Sequence, residues 1–120
     1  NGAAHSEFKI TPNGDVKIIE IGARMGGDCI GSDLVQISTG YDFLKMVIDV
    51  ALGNKPDFKK VTEPKKATIK FIFTEDDIKE LDKIKQEHPD YIYYESPIEK
   101  INSHKIIDSS TRYGYYILSF

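Results

Sequence analysis

The sequence offers no second cysteine: Cys29 stands alone, so no internal disulfide can form and the chain fits a reducing compartment. No apolar run approaches the roughly 20 residues of a membrane span, and no basic-then-apolar leader opens the chain. Together these absences predict a cytoplasmic protein with no membrane partner. Positive charge is not in excess either. The formal net charge is −3 with the signs evenly mixed, which provides no polyanion-binding surface and argues against nucleic acid as a partner. Also missing is a glycine-rich loop followed by lysine, so nothing in the chain is set up to cradle the phosphates of a nucleotide by itself. With 120 residues and 40% hydrophobic content, the chain can bury one modest core or two small ones.

What is present is concentrated in residues 2–27, GAAHSEFKITPNGDVKIIEIGARMGG. Two alternating runs, HSEFKI and DVKIIEI, flank Pro12-Asn13-Gly14-Asp15, and an Asn-Gly step between alternating runs is a strong signal for a β-hairpin. Side chains alternate between the faces of a strand, so Phe8, Ile10, Val16, Ile18 and Ile19 compete for a buried side while Glu7 and Glu20 stand near the open ends of the arms. Glu7 precedes Pro12 by as many residues as Glu20 follows Asp15, and antiparallel pairing therefore predicts that the two acids face each other. Facing carboxylates repel unless a cation lies between them. Hard oxygen ligands of this kind suit Mg²⁺, which takes one or two protein carboxylates and completes its shell with water and substrate phosphates. The alternative is a solvated hairpin face with no chemistry.

Beyond the second run, Ile21 to Gly31 reads as a loop in which Gly26 and Gly27 let backbone approach a ligand closely. Arg24 follows Glu20 by four residues, and its planar, five-donor guanidinium suits phosphate or carboxylate oxygens. Residues 32–38 and 42–52 read as helices, the second with Asp42 as N-cap and Gly53 just past its end. Residues 53–66, GNKPDFKKVTEPKK, form a polar connector containing two prolines. Two domains are expected, residues 1–60 and 61–120. The second reads as a small unit with strands at 67–73, 91–95, 105–107 and 113–120 and a helix at 75–87. A near capping box at Thr74 and Asp77 starts that helix, and His88-Pro89 stops it. Six tyrosines in this half are explained by strand propensity better than by base stacking.

The combination of H-x-E, a hairpin, I-I-E-I-G-A-R-x-G-G-D, a helix closing in Thr-Gly-Tyr-Asp and a second helix closing in Ala-Leu-Gly resembles the C-terminal part of the ATP-grasp domain. The likeness is to carboxylate–amine ligases of the L-amino-acid ligase type, with biotin carboxylase and the carbamoyl phosphate synthetase large subunit further off. It covers residues 2–53 well and the remainder loosely. The fold class it implies is α+β: a portion of the C-terminal ATP-grasp lobe, an antiparallel hairpin with helices, followed by a small mixed α/β subdomain. It implies ATP and Mg²⁺ (or Mn²⁺) as cofactors, with Glu7 and Glu20 as metal ligands and His5 near the nucleotide or phosphate. It also implies Arg24 steadying an acyl phosphate, Gly26 and Gly27 lining the substrate, and Asp28 acting as a base or holding an amino group. For His5 the alternative is local packing, and for Asp28 it is capping of the next helix. Where many family members place Asn two residues after the second acid, this chain has Gly22. The implied substrates are a small carboxylate and an amine. The implied missing partner is an N-terminal part of the same protein, without which the fragment is inactive, and the hairpin edge left open predicts pairing into a homodimer. The competing function is a non-catalytic nucleotide- or metal-binding domain derived from the same fold.

Overall fold

Strands β1 (His5–Ile10) and β2 (Val16–Gly22) pair antiparallel in the computed structural model, which describes residues 2–120. The turn closes with Thr11 N–H donating to the Asp15 carbonyl at 2.9 Å and Gly14 N–H donating to the Thr11 carbonyl at 2.9 Å. Within it only Gly14 takes a positive φ, 86°, so the loop is longer than a two-residue Asn-Gly turn and glycine supplies its one left-handed step.

The ladder runs regularly from Ile10 opposite Val16 to Phe8 opposite Ile18, and then shifts by one, so that Glu7 lies opposite Glu20 and His5 opposite Gly22. Ile19 is the extra residue of this β-bulge. Because the bulge absorbs one residue, Ile18 and Ile21 fall on the same face as Phe8, Ile10 and Val16, while His5, Glu7 and Glu20 occupy the other. The expectation of a buried apolar side is not met. Phe8, Ile10, Val16, Ile18 and Ile21 are 51–72% exposed.

After the hairpin, Asp28 and Cys29 both take left-handed backbone conformations, φ 48° and 59°. They lead into a π-helical turn, Ile30–Leu34, that continues as helix α1 (Val35–Thr39). The single regular helix expected over 32–38 is thus a wider turn followed by a short α-segment. Gly40 ends it at φ 82°, and a Cβ there would collide with the Thr62 carbonyl oxygen, so this position requires glycine. Helix α2 (Phe43–Ala51) is capped by Asp42, whose carboxylate accepts from Lys45 N–H at 3.0 Å, and Gly53 follows its end at φ 79°. Among the described residues of this unit, which ends at Pro64, Ile37 is the one buried large apolar side chain.

The second unit, Lys65–Phe120, carries its own core. Strands β3 (Ala67–Ile72), β4 (Ile92–Glu95) and β5 (Gly114–Ser119) form an antiparallel sheet in the order β3-β5-β4. Helix α3 (Glu75–Glu87) presents Leu81, with Ile78 and Ile84, to the core formed by Ile72, Tyr116, Leu118, Ile101 and Tyr113. Its start is a capping box: the Thr74 side chain accepts from Asp77 N–H, and Asp77 accepts from Thr74 N–H at 2.8 Å. Tyr116 is buried with its hydroxyl unpartnered among the described residues, and burial pushes that hydroxyl up to about 12. Residues 105–107 are not a strand. Ile107 and Asp108 instead donate backbone N–H groups to the Thr111 hydroxyl, which closes a short 3₁₀ turn over Ser109–Thr111. No helix among the described residues is long and apolar enough to cross a membrane.

Candidate functional site

The polar face of the hairpin gathers three of the side chains singled out in the sequence. Alternation along β1 puts His5 and Glu7 on one side, and the bulge turns Glu20 of β2 onto that same side, directly across from Glu7. The signal for the bulge is in the sequence: Ile18 and Ile19 are adjacent apolar residues that interrupt a two-residue alternation. A chain keeping strict alternation would have paired Glu7 with Ile19 and sent Glu20 to the apolar face.

Arg24 joins the acids from the loop beyond β2. Its Nη2 lies 3.8 Å from Glu20 Oε1, and its Nη1 donates to the Met25 carbonyl at 3.1 Å. Both side chains are more than half exposed, so the pair contributes little to stability. Its value is placement, since it keeps a cation beside one of two facing carboxylates, while Glu7 has no ion-pair partner among the described residues.

Two glycines press the loop onto the hairpin. A Cβ at Gly26 would come within 3.0 Å of Ile30 and the His5 ring, and one at Gly31 within 3.0 Å of Met25. Gly26 therefore serves packing, holding the loop against the imidazole of His5. Gly27 has open space at its Cβ position, so close approach of a ligand is available there. The Nδ1 atom of His5 is buried without a hydrogen-bond partner among the described residues, an orphaned polar atom on the acids' own face. Asp28 sits at the head of the π-helical turn with its left-handed backbone. The residue preceding that turn is Cys29, whose side chain makes no cap. A π-helical turn entered through two left-handed non-glycine residues is costly, and such features concentrate at functional sites. Nothing in the composition of residues 26–34 announces it.

The position of Gly22 has room. A Cβ there would lie 3.8 Å from Glu20 Oε1 and 3.6 Å from Arg24 Cγ, both ordinary contacts. The missing side chain would thus have pointed at the acid pair.

The donor set fits a hard divalent cation. Two carboxylates stand at facing strand positions, and no group of three or more His, Cys, Asp or Glu side chains converges among the described residues. Two carboxylates with open coordination positions suit Mg²⁺ or Mn²⁺ shared with phosphate oxygens, and not a closed structural zinc site.

No protein-family model matches the chain, and no curated protein sequence does. Among solved structures it is similar to the L-amino acid ligase from Bacillus licheniformis, with a TM-score of 0.67 and 24% identity, over 98% of this chain and 31% of that one. The chain accordingly spans about a third of the length of that ligase. At this identity the likeness concerns the fold alone: the chain shares the mixed α+β fold of the matching part of that structure.

Proposed function

We propose that this chain is the metal- and phosphate-handling part of an ATP-dependent carboxylate–amine ligase that works through an acyl phosphate. The observation that carries the reading is Glu7 opposite Glu20 with Arg24 at 3.8 Å, on a hairpin whose fold is shared with an L-amino acid ligase. Glu7 and Glu20 hold Mg²⁺ or Mn²⁺, which when bound screens the charge of the ATP phosphates. Arg24 turns from Glu20 to the oxygens of the acyl phosphate, for which its forked donors are suited. The orphaned Nδ1 of His5 gives that residue a capacity for one more hydrogen bond, to phosphate or substrate. Gly27 leaves space for substrate backbone or carboxylate, and Asp28 receives the amine, as a base or as an anchor for its positive charge.

The phosphate-binding lysines and the nucleotide pocket belong, in this reading, to an N-terminal part of a longer cytoplasmic polypeptide. The exposed apolar face of the hairpin supports it, since five large apolar side chains on one sheet face form a surface that a folded protein ordinarily covers. The chain by itself would then be inactive. The second reading, a binding domain that has lost turnover, is favoured by one feature, the absence of a side-chain ligand at Gly22.

Paramagnetic broadening by Mn²⁺ in the NMR spectrum of the chain tests the site. Broadening should centre on residues 5–8 and 19–22, and Glu20→Gln should weaken it by about tenfold or more. Broadening centred on the acidic start of α3, at Glu75, Asp76 and Asp77, would contradict the assignment.

A further inference from the structure

We infer that Lys9 and Lys17 form an oxyanion site on the polar face of the hairpin, next to Glu7 and Glu20, and that it takes phosphate groups carried by the metal. The inference rests on the metal reading given above for its cation, and its test separates the two.

The register that sets Glu7 opposite Glu20 also sets Lys9 opposite Lys17. Lys9 follows Glu7 by two residues, so the two lysines share the acids' face, about 7 Å further along the strands. On β2 this depends on the bulge. Lys17 and Glu20 are three residues apart and would point to opposite faces of a regular strand, and leaving Ile19 out of the ladder puts them on one. All four residues are exposed, so a ligand has access to them.

Each facing pair is unfavourable alone, because like charges directly opposite repel. Diagonal ion pairs between the acid of one strand and the lysine of the other would relieve both, and none forms among the described residues. Glu20 lies beside Arg24 instead, and Lys17 beside Asp15 at 3.8 Å. A ligand that presents a cation and an anion side by side relieves both pairs together. A divalent metal bound to phosphate is such a ligand: the carboxylates take the metal and the ammonium groups take phosphate oxygens. Lysine suits this task, since its compact charge on a flexible stem meets phosphate without a fixed geometry.

NMR titration of the 120-residue chain with inorganic pyrophosphate at low ionic strength, first in EDTA and then with Mg²⁺, tests this. Pyrophosphate should shift the amides of Lys9 and Lys17 in EDTA, and Mg²⁺ should tighten its binding. Lys9→Gln and Lys17→Gln should each weaken pyrophosphate by about tenfold, yet tighten Mn²⁺ added alone, because a positive charge beside the acids is removed. A variant that merely disturbed the hairpin would weaken both. Pyrophosphate that binds nowhere, that ignores both substitutions, or that weakens in parallel with Mn²⁺ would overturn the proposal. Pyrophosphate held by both lysines in EDTA while Mn²⁺ broadens residues away from Glu7 and Glu20 would support the oxyanion site and overturn the metal reading.

Discussion

Glu20 faces Glu7 because Ile19 is left out of the ladder, Arg24 reaches Glu20 from the loop beyond β2, and Gly26 and Gly31 leave room for His5 and Met25 to pack against that loop. The site is therefore specified as much by residues without chemistry as by those with it. Gly22 is the one place where that specification is incomplete: a side chain there would reach toward the Glu20 carboxylate, and the glycine backbone has no positive φ to forbid one. Gly22→Asn should leave the fold intact and tighten Mn²⁺ binding by about tenfold, by adding a neutral oxygen ligand to two carboxylates. Unchanged affinity in a folded Gly22→Asn chain would mean that the cation does not lie on this side of Glu20.

At the scale of elements, local chemistry decides where helices begin and end. α3 starts at Thr74 and stops before Pro89, where the sequence says it should, because both signals are short-range: a hydroxyl and a carboxylate three residues apart, and a ring that lacks an N–H. Burial pushes the Asp77 carboxyl up, but hydrogen bonds from Phe73 N–H and from the Thr74 hydroxyl and N–H outweigh it, and the group titrates below its usual 3.8. A carboxyl depressed in the folded state adds stability that is complete above the unfolded value and fades as pH falls through the folded one. Thr74→Ala should cost about 1 kcal/mol at pH 7 and a smaller amount at pH 3, because the bond from the Thr74 hydroxyl to Asp77 weakens as that carboxylate takes up a proton. Urea unfolding at the two pH values measures this, and an equal cost at both would show that the cap works without the carboxylate. The hairpin and the caps of α2 were legible for the same reason, since each depends on neighbours within a few residues; the acids face each other as expected, but through a longer turn and a bulge at Ile19 and not through arms of equal length. The π-helical turn was not, because neither Asp28 nor Cys29 is a residue type that announces a left-handed backbone as glycine does. The short strand expected at 105–107 failed for a related reason: the hydroxyl of Thr111 takes the backbone N–H groups of Ile107 and Asp108 in place of a neighbouring strand.

For the whole molecule, the distribution of burial separates the two units. The second has seven of the eight buried large apolar side chains among the described residues; the first has Ile37 and a hairpin exposed on both faces. The sequence pattern marked one face of the hairpin as apolar but carried no information on what lies against it, which is a long-range property. An apolar hairpin side left open agrees with the proposed place of this chain in a longer polypeptide, and the chain spans 31% of the L-amino acid ligase it resembles. The measurement that bears most directly on the central claim is ADP release by the longer polypeptide carrying this chain, with Mg²⁺, ATP and a pool of amino acids, beside its Glu20→Gln variant. The account predicts ADP formation that requires substrate and falls by about a hundredfold or more in the variant, as expected when a preorganised charge is removed from a phosphoryl-transfer site. Substrate-dependent release that survives Glu20→Gln, or an intact ATP-binding protein that releases none, would contradict it.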